Sequence, residues 1–295
     1  MFAKILCPID FAPGSQVAPG SQVALRLAAR MAAGSGAELV VAHVRYVPPL
    51  PYAGEPVETI AALMKEDKCL LATSVAEATK LSAKRVSDRS LEGVPWDQIV
   101  SAAQDEAFDL IVIGTHGRTG LSRFLLGSIA EKVVRHAPCS VLIARTRGDT
   151  PPFRSVLCPI DFSEESHEAL HRAGELVSPD GKLTLMHAIE LPATYRAALA
   201  PELLAEADQR ATRTLEQWAA ELGPQANASI STTMGMGSPA AQALAVVEED
   251  PTFDLIAVGS HGRTGIRRAL LGSVAEKLVR HAPCSVLVAR SPDTD

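Results

Sequence analysis

Residues 108–145 recur as residues 253–290, with 29 of 38 positions identical at an offset of 145. A second match lies at the start of each half, KILCPIDF at 4–11 against SVLCPIDF at 155–162, offset by 151. Between these, His43 pairs with His187, and Gly93-Val94-Pro95 with Gly237-Ser238-Pro239, both at an offset of 144. A period this long is a whole domain and not a solenoid repeat. The 295 residues are therefore expected to fold as two copies of one unit, 1–147 and 152–295, joined at TRGDTPP (146–152). The change in offset has a visible origin. APGSQV at 12–17 is repeated at 18–23, a six-residue duplication that the second half lacks.

Each half reads as alternating strands and helices. Residues 4–9, 38–44, 110–113 and 141–144 are apolar runs too short for helices, as expected of strands buried on both faces of a parallel sheet. A polar stretch at 82–91 should hold a further strand, and its counterpart is 229–234. Helical patterns fall at 21–33, 57–81, 96–106 (after Pro95, suited to a first turn) and 128–135. The fold class is thus α/β, with two tandem doubly wound five-stranded parallel-sheet domains of half-Rossmann type, order 3-2-1-4-5.

In such sheets ligands bind beyond the strand carboxyl ends. Two features sit there in each half. One is the acid closing the first strand, Asp10 or Asp161. The other is a glycine stretch after the fourth strand: Gly114-Thr-His-Gly117, nine residues, Gly127-Ser128, and likewise Gly259-Ser-His-Gly262, nine residues, Gly272-Ser273. Glycines admit close backbone approach, and Gly127 and Gly272 open helices whose first N–H groups are unpaired. The pattern predicts a phosphate cradle, with turn glycines and an ordinary serine cap as the bland alternative. The carboxylate suits hydroxyl donors such as those of ribose, or else an Asx-turn.

Charge placement fits a small anionic ligand. The chain carries a formal −6, yet residues 114–145 hold +4 and residues 259–290 hold +5, leaving −15 elsewhere. Part of that positive charge lies late in helices, where cations complement the macrodipole. Arg118 and Arg263, inside the loops, are the better ligand candidates. The acidic balance argues against nucleic acid or an anionic membrane as partner, and no apolar run approaches 18 residues. Five cysteines without close pairs suggest reduced thiols packed as small hydrophobes in a cytoplasmic protein. No metal-ligating cluster is expected. Enzymatic parts are missing too: there is no Walker lysine motif and no kinase loop set. His116 and His261 are read as polar anchors in the loops.

Cys-Pro-Ile-Asp-Phe, a strand ending His43-Val44, and G-x-x-G-(nine)-G-Ser followed by Pro-Cys-Ser-Val-Leu resemble the universal stress protein family, in both halves. The resemblance implies a tandem member of the family's ATP-binding branch, acting as a stress-response or regulatory module. A weak ATPase or other nucleotide-using enzyme, and a scaffold with vestigial sites, are the alternatives. It implies that Pro8, Asp10, Val44, Gly114, His116, Gly117, Arg118, Gly127, Ser128 and Ile129 hold ATP, ADP or AMP in the first half. Pro159, Asp161, Ala188, Gly259, His261, Gly262, Arg263, Gly272, Ser273 and Val274 would do so in the second. Mg²⁺ would come with the phosphates. It further implies pairing of the last strands (Val141, Ala144; Val286, Ala289) about a pseudo-twofold, with room for a homodimer. The duplicated hexapeptide lengthens the loop after Asp10, so the second site is expected to bind ATP at least as well as the first.

Overall fold

The computed structural model describes residues 1–12, 16–46, 57–81, 85–115, 126–190, 201–226, 228–262 and 271–291. The chain divides into two compact units, Met1–Thr150 and Pro151–Asp295.

The first unit runs β1 (Lys4–Pro8), β2 (Phe11–Ala12), β3 (Gln16–Val17), α1 (Pro19–Ser35), β4 (Glu38–Arg45) and α2 (Val57–Lys80). It continues with β5 (Arg85–Glu92), α3 (Pro95–Asp105), β6 (Leu110–Gly114), α4 (Ser128–His136) and β7 (Ser140–Ala144). Its parallel sheet has the order β5-β4-β1-β6-β7. The second unit runs β8 (Phe153–Pro159), α5 (Glu164–Leu176), β9 (Val177–Ile189), α6 (Pro201–Ala226) and β10 (Ser229–Met236). Then follow α7 (Pro239–Glu249), β11 (Leu255–Gly259), α8 (Ser273–His281) and β12 (Ser285–Ala289), in the order β10-β9-β8-β11-β12. Both sheets have the doubly wound 3-2-1-4-5 arrangement.

The apolar runs become central strands because both their faces are covered. Ile5, Leu6 and Cys7 of β1 and Leu110, Ile111 and Val112 of β6 have no exposed surface. Helix α1 presents Ala24, Leu25, Ala28 and Ala32 to the core and ends at Gly36, a left-handed cap (φ 74°) whose N–H donates to the Ala32 carbonyl at 2.8 Å. The polar segment expected as a strand is β5, an edge strand whose side chains are mostly exposed.

One element was not foreseen. The first APGSQV forms an antiparallel pair, Phe11 opposite Val17 and Ala12 opposite Gln16. The second copy supplies the N-cap Ala18 and the first-turn Pro19 of α1. The same hexapeptide therefore takes two conformations, and position in the fold decides between them. In the second unit, where the insertion is absent, Phe162 reaches α5 by adopting a positive φ of 65°.

Candidate functional site

The strand carboxyl ends are held in register by backbone and imidazole contacts. Pro8 lies opposite Ala42, and the Ile9 N–H donates to the Ala42 carbonyl at 2.8 Å. The next residue, His43, is buried and its Nδ1 lies 3.1 Å from the Ile9 carbonyl. A carbonyl only accepts, so Nδ1 carries the proton. The second unit repeats this, with His187 Nδ1 2.6 Å from the Ile160 carbonyl. Phe11 and Phe162 pack on these imidazoles at ring separations of 4.3 and 4.6 Å. Each histidine thus fixes the chain beside its aspartate.

The two aspartates are bound differently. The Asp10 N–H donates to Ser21 Oγ at 2.9 Å, and Asp10 Oδ1 accepts from the Phe11 N–H at 2.9 Å. Asp161 Oδ1 accepts from the Ser163 N–H at 3.0 Å and from Ser163 Oγ at 2.5 Å. Ser163 also caps α5, its Oγ accepting from the Ser166 N–H at 3.2 Å. At the matching cap position of the first unit stands Ala18, which has no hydroxyl.

The glycine stretches divide into two physical roles. A Cβ on Gly114 would run into the Gly20 carbonyl, and one on Gly259 would stand 2.7 Å from the Glu165 carbonyl carbon. These glycines let the first turn of α1 or α5 press on the strand end, so their absent side chains are accounted for by packing. Gly127 and Gly272 are different. Each is the N-cap of its helix, with no side-chain cap, and each N–H reaches back to the Thr115 or Ser260 carbonyl at 2.7 and 2.8 Å. Ser128 and Ser273 are the first helical residues, so the alternative of a serine cap does not hold. Among the described residues no side chain caps α4 or α8, and their opening N–H groups can serve a further acceptor.

In the first unit these parts meet. A cleft of about 420 Å³ is lined by Pro8, Asp10, Val44, Gly114, Gly127, Ser128 and Ile129, all expected from the sequence. Ser21, Tyr46, Pro95 and Ile99 line it as well and were missed. The only early signal for Pro95 was its recurrence as Pro239. That volume falls within the roughly 300–1,000 Å³ of small-molecule pockets. Its lining combines backbone and hydroxyl groups at Gly114, Thr115, Gly127 and Ser128 with apolar side chains at Val44, Tyr46, Ile99 and Ile129.

In the second unit Pro159 lies opposite Met186, with Ala188 two residues beyond, and Gly259 lies opposite Ala289. A Cβ on Gly262 would stand 2.6 Å from Asp161 Oδ2, so the loop backbone passes directly over that carboxylate. Ser273 and Val274 open α8 beside Gly272. His261 Nδ1 is 3.0 Å from Ser260 Oγ, while its Nε2 is buried without a partner among the described residues. His116, Gly117, Arg118 and Arg263 lie outside the described residues.

One spacing in the sequence went unremarked: α5 carries His167-Glu168-Ala169-Leu170-His171, an H-E-x-x-H pattern. The two imidazoles pack edge to face at 4.5 Å, with His167 against Trp218, and Glu168 is held by Arg172 at 2.7 Å. No group of three or more His, Cys, Asp or Glu converges as a metal site among the described residues. Nor is any helix among them long and apolar enough to cross a membrane.

A model of the universal stress protein family matches residues 1–145 and 152–290. The universal stress protein MJ0531 of Methanocaldococcus jannaschii is 36% identical over 149 residues, covering 49% of this chain and 83% of that protein. The universal stress protein Mb2028c of Mycobacterium bovis is 29% identical over 270 residues, covering 85% of each. Among solved structures, a universal stress protein from Archaeoglobus fulgidus superposes with a TM-score of 0.70 at 22% identity, covering 97% of this chain and 98% of its own.

Proposed function

The chain belongs to the universal stress protein family, and on that premise we propose that it is an adenine-nucleotide-binding regulatory module with one site per unit. The observation that carries this is the first-unit cleft, where Asp10 stands at one wall and the uncapped start of α4 at another. The N–H groups of Ser128 and Ile129, with Ser128 Oγ, would hold phosphate oxygens, aided by the partial positive charge of the helix start. Asp10 would accept from ribose hydroxyls, and the apolar wall at Val44 would take the base. In the second unit Asp161, Ala188, Gly262, Gly272, Ser273 and Val274 would do the same work. His261 Nε2, buried and without a partner among the described residues, suits an anionic oxygen at that loop. Mg²⁺ would enter on the phosphates, which supply most of its ligands in nucleotide sites. Nothing in this reading calls for a general base, and the protein would act by being occupied or empty.

Thermal unfolding with and without millimolar ATP tests it. Ligation of the native state raises the melting temperature by linkage. Ser128→Ala should weaken binding about tenfold, as the loss of one hydrogen bond to a charged oxygen. No thermal shift, together with no ATP, ADP or AMP released from the acid-denatured protein, would overturn the proposal in favour of a scaffold.

A further inference from the structure

Aligning the cleft of the first unit with the second separates its two ends. At the phosphate end the residues are the same or nearly so: Gly114, Thr115, Gly127 and Ser128 against Gly259, Ser260, Gly272 and Ser273. At the apolar end the changes run in one direction. Val44 becomes Ala188, Ile99 becomes Ala243, Ile129 becomes Val274, and Tyr46 becomes Glu190. Every change removes apolar surface, and the last puts a carboxylate where an aromatic ring stood. In the first unit, moreover, that surface is displayed. Tyr46 lines the cleft while 57% exposed, and Ile129 lines it while 38% exposed. Large apolar side chains at the rim of a concave site gain most when a flat apolar ligand covers them.

We infer that the two units divide the recognition of one ligand class: the first reads the base of a purine nucleotide, with Tyr46 as its stacking residue, and the second binds through phosphate and ribose and is nearly indifferent to the base. This rests on the nucleotide reading above. It reverses the ranking expected from loop length alone, because the second unit carries smaller or charged side chains where the first has Val44, Tyr46, Ile99 and Ile129. Glu190 also places a negative charge near the site, which disfavours an anionic ligand further.

The test is calorimetric titration of the full chain with ATP and, separately, with inorganic tripolyphosphate, which offers the phosphates without the base. Wild type should show a tighter and a weaker ATP event, with tripolyphosphate binding both units similarly. Tyr46→Ala should weaken the tighter ATP event at least tenfold, in keeping with the loss of base stacking on an aromatic ring. It should leave tripolyphosphate unchanged, and Tyr46→Phe should keep wild-type ATP affinity. Glu190→Tyr should tighten the weaker event. Equal weakening of ATP and tripolyphosphate by Tyr46→Ala would mean a structural role and overturn the inference. So would ATP binding that Tyr46→Ala does not change, and in that case the nucleotide reading stands. If wild type takes up neither compound, both fall.

Discussion

At the scale of single residues, the two units show what one hydroxyl does. Ser163 ties the start of α5 to Asp161, accepting from the Ser166 N–H and donating to the carboxylate. Ser163→Ala should cost about 1 kcal/mol in denaturant unfolding, the usual worth of a serine cap. Glycines divide as sharply. Gly259→Ala forces a Cβ to 2.7 Å from the Glu165 backbone and should cost about 1–3 kcal/mol as overpacking. Gly272→Ala meets its nearest atom at 3.2 Å and should be tolerated better. Comparing the two melting temperatures without ligand checks this. Among the thiols, burial pushes Cys7 up from 9.0 to about 12 and pushes Cys158 up as well, while Cys69 is exposed. The native state keeps those two protons where the unfolded chain releases them, so they lower stability as pH rises past about 9 and change nothing below it. Cys69 should react first with a disulfide reagent at pH 8, and Cys7 and Cys158 only on unfolding, as peptide mapping of the labelled sites would read.

At the scale of elements, the sequence was legible where one face or both had a single physical demand. The apolar runs of β1, β4, β6 and β7 could only be buried strands. Edge strand β5 was harder, because an exposed strand needs no hydrophobic alternation. The hairpin β2–β3 was illegible in principle. Its Ala12, Gln16 and Val17 recur as Ala18, Gln22 and Val23 at the start of α1, so the local hexapeptide cannot separate the two conformations. The cleft was legible in its backbone parts and not in Tyr46 or Ile99, whose roles depend on which loop ends face one another across the sheet. Gly114 lines the cleft and also admits the first turn of α1, and a pattern of glycines does not say which of the two needs it. Deleting residues 12–17 should leave the first unit folded. Helix α1 would then start directly after Phe11, as α5 starts after Phe162, and loop closure changes little over six residues. Far-UV circular dichroism and a cooperative melt within several degrees of wild type are expected; an uncooperative melt would refute this.

At the scale of the whole molecule, two matches to one family leave the fold beyond dispute and put the interest in how its copies differ. The segments that carry the helix starts of α4 and α8 have a net positive charge within a chain of net −6. A small polyphosphate meets only that local field, whereas a long polyanion meets the acidic remainder as well. ATP at millimolar concentration should therefore raise the melting temperature, and duplex DNA at equal phosphate concentration should not. A comparable shift from DNA would show that the local field governs alone.

The close approach of Gly114 to Gly20 fixes where the first unit could lengthen. Between Asp10 and that contact the described residues belong to no strand of the parallel sheet. Everything after it is clamped between a helix and a strand end. The extra hexapeptide lies before that contact, and its second copy supplies the backbone carbonyl that Gly114 admits, a part that Glu165 plays for Gly259 in the second unit. An insertion placed before that carbonyl leaves the helix-to-strand contact in its own register, so this is where a tag, a linker or a sensor peptide would be spliced in.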